Sequence, residues 1–368
     1  MQLGMFMMPV HHPDKPWGLA LSEDREAVIR ADRLGFAEVW IGEHFSSKPE
    51  QIPSPMMFLA SVIGEARRIR FGTGVVNLPH HNPVTVAAEA AMFDHLCEGR
   101  LMLGIGPGGL FSDAELFGHD DMAERYRMAM ESLDIILRLW RSEAPLRIDG
   151  EFWKISLETQ VWPYGGIGWL SRPLQEPHPP IAMAMSGPGG RTAEIIAERN
   201  CIPISANLAS VEVIEAQWAA YAAARDALNK PADRGIWRVC RNILVTDSEQ
   251  EARDALSNPD GTLPFYFRYL RGLRRIPELR SQLGDDASTA ELDAFLDVAQ
   301  AVEDYAIVGT ARQVLDRLVA IVDRTGPFGR LVMVGHDWEE TGLWQASMER
   351  LASEVMPKLS QHASVLAN

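Results

Sequence analysis

Several features are scarce in this sequence of 368 residues, and each scarcity excludes a class of protein. The three cysteines, Cys97, Cys201 and Cys240, are too few and too scattered for a disulfide scaffold or a zinc site. The net charge is −15, which argues against the clustered basic surface of a nucleic-acid-binding domain. No apolar run is long enough to span a membrane, and the N-terminus has no signal-peptide pattern. We therefore expect a cytoplasmic protein that binds neither nucleic acid nor membrane.

Short apolar runs alternate with helix-like segments along the whole chain. Eight of these runs have the length of a buried strand: QLGMFMMP, AEVWIG, IRFGTGVV, RLMLGIG, PIAMAM, CIPISA, WRVCRNILVT and RLVMVG. Continuous apolar strands that alternate with helices are typical of a parallel sheet covered by helices. Eight such units predict an α/β protein with a closed (β/α)8 TIM barrel. An open dinucleotide-binding sheet is less favoured because no GxGxxG fingerprint follows the first strand.

Two segments are too long to be ordinary loops. Residues 141–179 are rich in glycine, proline and aromatic residues, and residues 258–308 contain LPFYFRYLRGL followed by an acidic helical stretch. Long inserts in a compact barrel usually form lids, binding loops or subunit contacts. We predict one domain over residues 1–368 that carries these two inserts.

Histidines are concentrated where the predicted strands end, which is the side on which TIM barrels build their active sites. They are His11 and His12 after the first strand, His44 after the second, His80 and His81 after the third, and His336 after the last. One alternative is a metal-dependent hydrolase that uses several of them as ligands. Such a site usually needs ligands at fixed offsets such as His-x-His, whereas His11 and His12 are adjacent. We therefore predict no metal site.

A glycine-rich turn follows the fifth predicted strand, in the segment AMSGPGGRT at 184–192. Glycines let backbone N–H groups approach an anion, and the start of the next helix favours negative charge. Arg191 adds a guanidinium that can clamp the same anion. We predict that Ser186, Gly187, Gly189, Gly190 and Arg191 bind one phosphate. A single phosphate in a barrel mouth fits a flavin mononucleotide better than a dinucleotide.

Several longer stretches carry a family resemblance. They are LGFAEVWIGEHF, the block from RIRFGTGVVNLPHH to LMLGIGPGG, SDAELFG, and AIVGTARQVLDRLVAIVDRTGPFGRLVMVGHDW near the C-terminus. In these stretches the chain resembles the bacterial luciferase-like family of flavin-dependent monooxygenases. The subgroup that it resembles contains limonene monooxygenase and the diketocamphane monooxygenases.

The resemblance implies a luciferase-like barrel that is one component of a two-component monooxygenase. Reduced FMN, or alternatively FAD, would come from a separate NAD(P)H-dependent flavin reductase. Oxygen would then form a flavin C4a-(hydro)peroxide that oxygenates the substrate. The family likeness also implies a homodimer, paired through the helices that follow the second and third strands.

The resemblance assigns roles to individual residues. His44 matches the catalytic histidine, as a general acid or base. Gly74 and Val75 fall where the family has a non-prolyl cis peptide under the flavin ring. Gly106 stands where luciferase has a reactive cysteine, so we expect extra space above the flavin and no implied light emission. Ser186 matches the phosphate-binding serine.

We predict an apolar substrate pocket formed by Met7, Phe265, Phe267 and Trp338. Phe265 to Tyr269 would cover the mouth as an apolar lid, which favours a small to medium terpenoid or cyclic ketone over a charged sulfonate. The same aromatic residues could instead form a local core between the insert and the barrel. Two further alternatives stay open. One is an oxidoreductase that uses the deazaflavin F420 on the same barrel, and the other is a non-catalytic flavin-binding protein.

Overall fold

The computed structural model describes residues 1–8, 10–335 and 341–366. Its strands are β1 (Gln2–Met7), β2 (Glu38–Ile41), β3 (Arg70–Thr73), β4 (Val76–Asn77), β5 (Leu101–Gly106), β6 (Leu146–Asp149), β7 (Lys154–Leu157), β8 (Ile181–Met185), β9 (Ile202–Ser205), β10 (Arg238–Thr246), β11 (Ala306–Thr310) and β12 (Arg330–Gly335). Eight of them, β1, β2, β3, β5, β8, β9, β10 and β12, pair in parallel in that order, and β12 closes the barrel on β1. These are the eight strands that the apolar runs predict, so the TIM-barrel prediction is confirmed.

Helices surround the barrel and follow most of its strands. They are α1 (Trp17–Arg33), α2 (Pro55–Ala60), α3 (Pro83–Leu96), α4 (Phe111–Phe117), α5 (Met122–Leu139), α6 (Arg191–Glu198), α7 (Val211–Ala227), α8 (Glu249–Ser257), α9 (Thr262–Leu273), α10 (Ile276–Gln282), α11 (Thr289–Leu296), α12 (Val298–Tyr305), α13 (Ala311–Thr325), α14 (Thr341–Arg350) and α15 (Met356–Leu366). Many begin at a polar cap. Ser288 and Thr310, for example, each form a capping box at the start of α11 and α13. None of the helices among the described residues is long and apolar enough to cross a membrane.

The floor of the barrel, where the strands begin, contains a buried ion pair. Arg238 donates from Nε to Glu38 Oε1 over 3.1 Å and from Nη2 to Glu38 Oε2 over 2.9 Å. The indole N–H of Trp40 donates to Glu38 Oε1 over 2.9 Å. Above this pair the Trp40 ring fills the interior, and a Cβ on Gly72 would lie only 2.3 Å from it. The glycine in β3 therefore makes room for the indole.

The two inserts take different forms. The first contains the antiparallel hairpin β6–β7, and the second contains the helices α9 to α12. Neither the hairpin β6–β7 nor β11 was predicted as strand. The strand β11 follows α12 and pairs with residues 242–246 of β10, outside the closed barrel. The run AIVGT is only five residues long and follows a helix directly, so it gives a weak strand signal.

Candidate active site

His44 lies just beyond the end of β2, and both of its ring nitrogens face carboxylates. Nδ1 donates to Asp113 Oδ2 over 3.2 Å, and Nε2 is 3.1 Å from Glu50 Oε2. The imidazole is 12% exposed, whereas both carboxylates are buried. The ring borders a cavity of about 250 Å³, which Trp17 also lines. A histidine in this position has contact with solvent space and two acidic partners that fix its orientation.

Asp113 is held as a carboxylate by donors from the loop that carries His44. The amide of Phe45 donates to its Oδ2 over 3.1 Å, and the amide of Ser46 donates to its Oδ1 over 2.8 Å. Burial raises the pKa of Asp113, but the hydrogen bonds from His44, Ser46 and Phe45 outweigh it and leave the pKa below the ordinary value. Asp113 therefore carries a negative charge next to Nδ1 of His44.

Glu50 supplies the second acidic partner of His44. Burial lowers the pKa of His44, but the charge of Glu50 and the hydrogen bond and charge of Asp113 raise it by more, to above the ordinary value for histidine. Burial in turn raises the pKa of Glu50. Because each group acts on the pKa of the other, His44 and Glu50 titrate as a coupled pair.

Glu43, which precedes His44, faces the other way. Its Oε2 accepts from the amide of Asn77 over 2.8 Å, and its Oε1 is 3.0 Å from Nε2 of His81. Burial lowers the pKa of His81, but the hydrogen bond and charge of Glu43 raise it by more. Glu43 therefore fixes the loop after β3 and does not orient His44.

The remaining histidines at this end of the barrel have separate environments. His11 is buried with Nε2 2.9 Å from Asp24. His80 stacks on Phe117 with ring centroids 4.4 Å apart, and burial lowers its pKa to about 4. Among the described residues, no group of three or more His, Cys, Asp or Glu side chains is arranged to hold a metal ion.

The loop between β3 and β4 contains a cis peptide bond between Gly74 and Val75. This is where the family resemblance implies one. A Cβ on Gly106, at the end of β5, would lie 2.9 Å from Val75 Cγ2. The space that the missing side chain leaves is therefore filled by Val75, and the expectation that Gly106 widens the pocket needs correction.

The glycine-rich turn after β8 is exposed at the rim of the barrel. The amides of Gly187, Gly189 and Gly190 make no hydrogen bond with any residue that the structure describes. Gly189 has φ +115°, and a Cβ there would lie 2.6 Å from Ala220 Cβ, so only glycine fits at this position. Ser186 is exposed beside these amides. The turn thus offers several free N–H donors to an anion.

Arg191, which follows this turn, and Arg125, in the first turn of α5, differ in their partners. Arg191 is exposed and lies along its own helix, where Nη1 donates to Glu194 over 3.0 Å and to Glu198 over 3.1 Å. The sequence predicted that Arg191 clamps an anion at the turn. In this structure its guanidinium does not reach over the turn. Arg125 of α5 is fully buried, and within the described chain no carboxylate lies within ion-pair distance of it.

Helix α9 places its aromatic residues on two faces. Tyr266 and Phe267 are fully buried, so they belong to the core between insert and barrel. Phe265 and Tyr269, one helical turn apart, face the loops after β1 and β2: the Phe265 ring lies 5.9 Å from His12, and the Tyr269 hydroxyl donates to Glu50 Oε2 over 2.7 Å. Of the four aromatic residues in the predicted lid, Phe265 and Tyr269 thus cover the loops and Tyr266 and Phe267 belong to the core. Phe267 therefore does not line a pocket.

Side chains in β1 alternate between the barrel interior and the helices, and this alternation shows that the prediction of Met7 as a pocket residue is wrong. A Cβ on Gly4 would lie 2.9 Å from Glu38 Cγ inside the barrel, so Gly4 and Phe6 face the interior. Phe6 indeed lies 2.8 Å from where a Cβ on Gly74 would be. Met7 has the opposite parity and is buried towards the helices. Phe6, and not Met7, is available to a ligand. Trp338, also predicted in the pocket, lies outside the described residues.

Comparison with known proteins assigns the family. The sequence model of the luciferase-like monooxygenases matches residues 1–327. The chain belongs to this family. It is 32% identical to 4-hydroxyprotoasukamycin monooxygenase of Streptomyces nodosus subsp. asukaensis, over 97% of this chain and 92% of that protein. It is 29% identical to limonene 1,2-monooxygenase of Rhodococcus erythropolis, over 96% and 85%. The predicted resemblance is confirmed.

A solved structure of this luciferase-like monooxygenase family shares the fold. It is the oxygenating constituent of 3,6-diketocamphane monooxygenase of Pseudomonas putida, a type II Baeyer–Villiger monooxygenase in complex with FMN. The TM-score is 0.82 at 23% identity, and the match covers 97% of this chain and 99% of that one. The family membership and the named relatives show the general kind of reaction: this protein is a flavin-dependent monooxygenase.

Reasoning from the sequence missed four residues of this luciferase-like site. Asp113 and Arg125 lie in segments that read as amphipathic helix, and Glu50 lies in a polar loop next to Lys48 and Pro49. Nothing in their local pattern marks them as buried. Phe6 carried a usable signal, because Gly4 and Phe6 share one face of β1.

Proposed function

We propose that this protein is the oxygenating component of a two-component system. It takes reduced FMN from a separate NAD(P)H-dependent flavin reductase and uses O2 to oxygenate a compact apolar molecule of the terpenoid or cyclic-ketone class. The observation that carries the proposal is His44, which stands at the mouth of the barrel between two buried carboxylates. The named component status of the diketocamphane structure supports the separate reductase.

Oxygenation needs protons as well as electrons. The bound reduced flavin supplies two electrons, and one atom of O2 enters the substrate while the other leaves as water, which takes up two protons. His44 can deliver a proton because its pKa is raised and Asp113 holds the ring in place through Nδ1. The paired carboxylates therefore act on the reaction through the orientation and protonation of His44.

The residues at the rim fit a flavin mononucleotide. The free amides of Gly187, Gly189 and Gly190, with the Ser186 hydroxyl, form a cradle for one phosphate. Ala184 of β8 faces the interior and is exposed, so the barrel mouth is open beside this turn. Phe6 and Val75 provide an apolar surface for the ring. Arg125 is a second candidate for the phosphate, because a buried guanidinium without a carboxylate needs an anion.

The mouth also needs protection from water, since reactive oxygen chemistry is quenched in an open site. Phe265 and Tyr269 of α9 lie over the loops after β1 and β2. They present one apolar ring and one phenol that Glu50 already engages. Two arginines of this insert are occupied elsewhere: Arg271 donates to the carbonyl of Leu296, and Arg275 to Glu278. This supports an apolar substrate and argues against a sulfonate.

One experiment tests the proposal. The protein is supplied with reduced FMN and 18O2 and incubated with cyclic ketones, cyclic terpenes and alkanesulfonates in parallel. We expect products that contain one 18O atom from the ketones or terpenes. Turnover only of the sulfonates would contradict the apolar substrate class. Oxidation of an alcohol with reduction of F420, and no use of O2, would replace the proposal by the deazaflavin alternative.

The phosphate assignment predicts a difference between two ligands. Exchange of Arg191 for alanine should weaken FMN binding by roughly ten-fold, because the exposed pairs with Glu194 and Glu198 are weak enough to be given up for a phosphate. Riboflavin lacks the phosphate and should bind equally to both proteins. Fluorescence titration with the two ligands measures the effect. Equal weakening of both would remove Arg191 from the phosphate site.

The assembly prediction concerns the outer faces of α2 and α3. Met57, Met92 and Leu96 are well exposed there, at 75%, 60% and 55%. We predict that a second copy covers this apolar surface and that the protein is a homodimer. Met92→Glu should then shift the mass measured by light scattering towards the monomer at micromolar concentration. Val365→Glu, at an exposed apolar site on α15, is the matched control and should leave the mass unchanged. A parent protein that is already monomeric would contradict the prediction.

A further inference from the structure

One oxygen atom, Glu50 Oε2, joins the histidine of the site to the helix that covers it. It lies 3.1 Å from Nε2 of His44 and accepts from the hydroxyl of Tyr269 over 2.7 Å. The Tyr269 hydroxyl in turn lies 2.6 Å from Ser47 Oγ, which also accepts from the amide of Glu50 over 3.2 Å. These bonds run from the loop after β2 to helix α9, over 219 residues of sequence.

The charge of Glu50 has one cationic partner in the part of the chain that the structure describes. The carboxylate is buried, and its Oε1 atom makes no hydrogen bond with a described residue. No lysine or arginine side chain of these residues forms an ion pair with it, so His44 is the group that balances its charge. A buried carboxylate with a single cationic partner ties its own protonation to that partner.

The two ends of this chain of bonds have been assigned to different tasks. His44 is proposed to handle protons, and α9 to exclude water. If they were independent, α9 would need only apolar side chains over the mouth. Instead, α9 places the phenol of Tyr269 against the carboxylate of Glu50, which is the partner of His44. Tyr269 is more than two hundred positions from Glu50 in the sequence.

We propose that Glu50 is a second positioning residue for His44, beside Asp113, and that helix α9 holds Glu50 in place through Tyr269, so that the covering helix and the histidine form one unit. This rests on the proposed function only in its consequence for turnover. With α9 in place, Tyr269 orients Oε2 towards Nε2 and keeps the carboxylate of Glu50 against the imidazole. Without that bond, Glu50 loses its neutral donor and holds the imidazole less firmly.

The pair and the groups that face it come from three elements. Glu43 and His44 lie in the loop after β2, Asp113 comes from α4, and Tyr269 from α9. Asp113 binds the opposite nitrogen of His44, and Glu43 contributes to His44 only through its charge. Burial and the charge of Glu50 raise the pKa of Tyr269, so its hydroxyl stays a neutral donor. Of these groups, Glu50 is the one that contacts Nε2.

A crossed pair of substitutions tests the assignment without turnover. Glu50→Gln and Glu43→Gln change two buried glutamates of the same loop in the same way, but one faces His44 and the other faces His81. NMR titration of the imidazole signals, assigned with His44→Gln and His81→Gln, measures both pKa values in the flavin-free protein. We expect Glu50→Gln to lower the pKa of His44 by about one unit or more and to leave His81 unchanged. Glu43→Gln should lower the pKa of His81 and change His44 much less.

The contribution of the helix is tested by Tyr269→Phe, which removes one hydroxyl and keeps the ring. We expect a smaller fall in the pKa of His44 than in Glu50→Gln, because Glu50 keeps its carboxylate but loses a donor. Phe265→Leu, on the same face of α9, is the control and should leave the titration of His44 unchanged. Should Glu50→Gln fail to fold, this comparison and Glu50→Asp, which keeps the charge, still decide the question.

The outcomes separate this proposal from the proposed function. An unchanged pKa of His44 in both Glu50→Gln and Tyr269→Phe overturns the unit of helix and histidine, whatever the enzyme oxygenates. If the pKa of His44 shifts as expected but the protein oxygenates none of the tested substrates, the unit of helix and histidine is supported and the proposed function is contradicted. In an active protein, Glu50→Gln should also move the pH profile of coupled turnover by the same shift, with the affinity for reduced FMN retained.

Discussion

Replacing His44 with alanine is expected to reduce coupled oxygenation by about a hundred-fold to ten-thousand-fold, the usual range for loss of a general acid or base. Flavin should still bind, because the proposed phosphate cradle at 186–190 lies in the turn after β8, on another side of the barrel mouth from the loop after β2. Reduced flavin should be oxidised as before, with its electrons released as hydrogen peroxide. Parallel assays of oxygen uptake, peroxide and product measure the change in coupling.

The control for His44→Ala is a histidine with a carboxylate partner outside the site. His362 of α15 has Nε2 2.6 Å from Asp323 Oδ1, and its replacement by alanine should leave coupling intact. A His44→Ala protein that forms product at the parent rate would show that the proton comes from another group. Loss of flavin binding together with activity would point to a structural role for the ring.

The fold could be predicted in most of its parts because buried parallel strands have a strong local signal. Every residue of β5 and of β10 is buried; β5 reads as an unbroken apolar run, and β10 carries the apolar run ILV in its second half. The strand β11 could not be found in this way. It pairs only with the upper half of β10 and follows α12 without a turn, so its existence depends on where the insert returns to the barrel.

The site could be predicted only where chemistry coincides with a strand end. His44 satisfies that condition, whereas its partners lie 6 and 69 residues further along the chain and meet it only in the folded barrel. The aromatic segment of α9 shows a different limit. Four aromatic residues in five positions of a helix cannot share one face, so helical periodicity already divides Phe265 and Tyr269 from Tyr266 and Phe267. Composition alone suggested that all four residues belong to one apolar lid.

The largest effect on stability is expected at the floor of the barrel, from the exchange of Glu38 for glutamine. Glu38 is 1% exposed and is the bidentate partner of Arg238, which is 5% exposed. A second guanidinium, that of Arg330, lies 3.6 Å from the same carboxylate. Glutamine keeps the shape but leaves the buried Arg238 and the half-buried Arg330 without this counter-charge. Breaking a buried pair in this way typically costs about 3–5 kcal/mol in the free energy of unfolding.

Urea denaturation of Glu38→Gln and the parent measures this loss, provided that the dependence on urea is the same in both. Glu65→Gln is the matched control, since it removes the partner of Arg25 from an exposed pair with a 2.7 Å contact. That pair should contribute at most about 1 kcal/mol, because solvent screens it. A loss at Glu38 no larger than the loss at Glu65 would mean that water or a rearranged arginine replaces the buried carboxylate. A loss several times larger identifies Glu38 as the residue that lets three strands, β2, β10 and β12, begin with charged side chains inside a closed barrel.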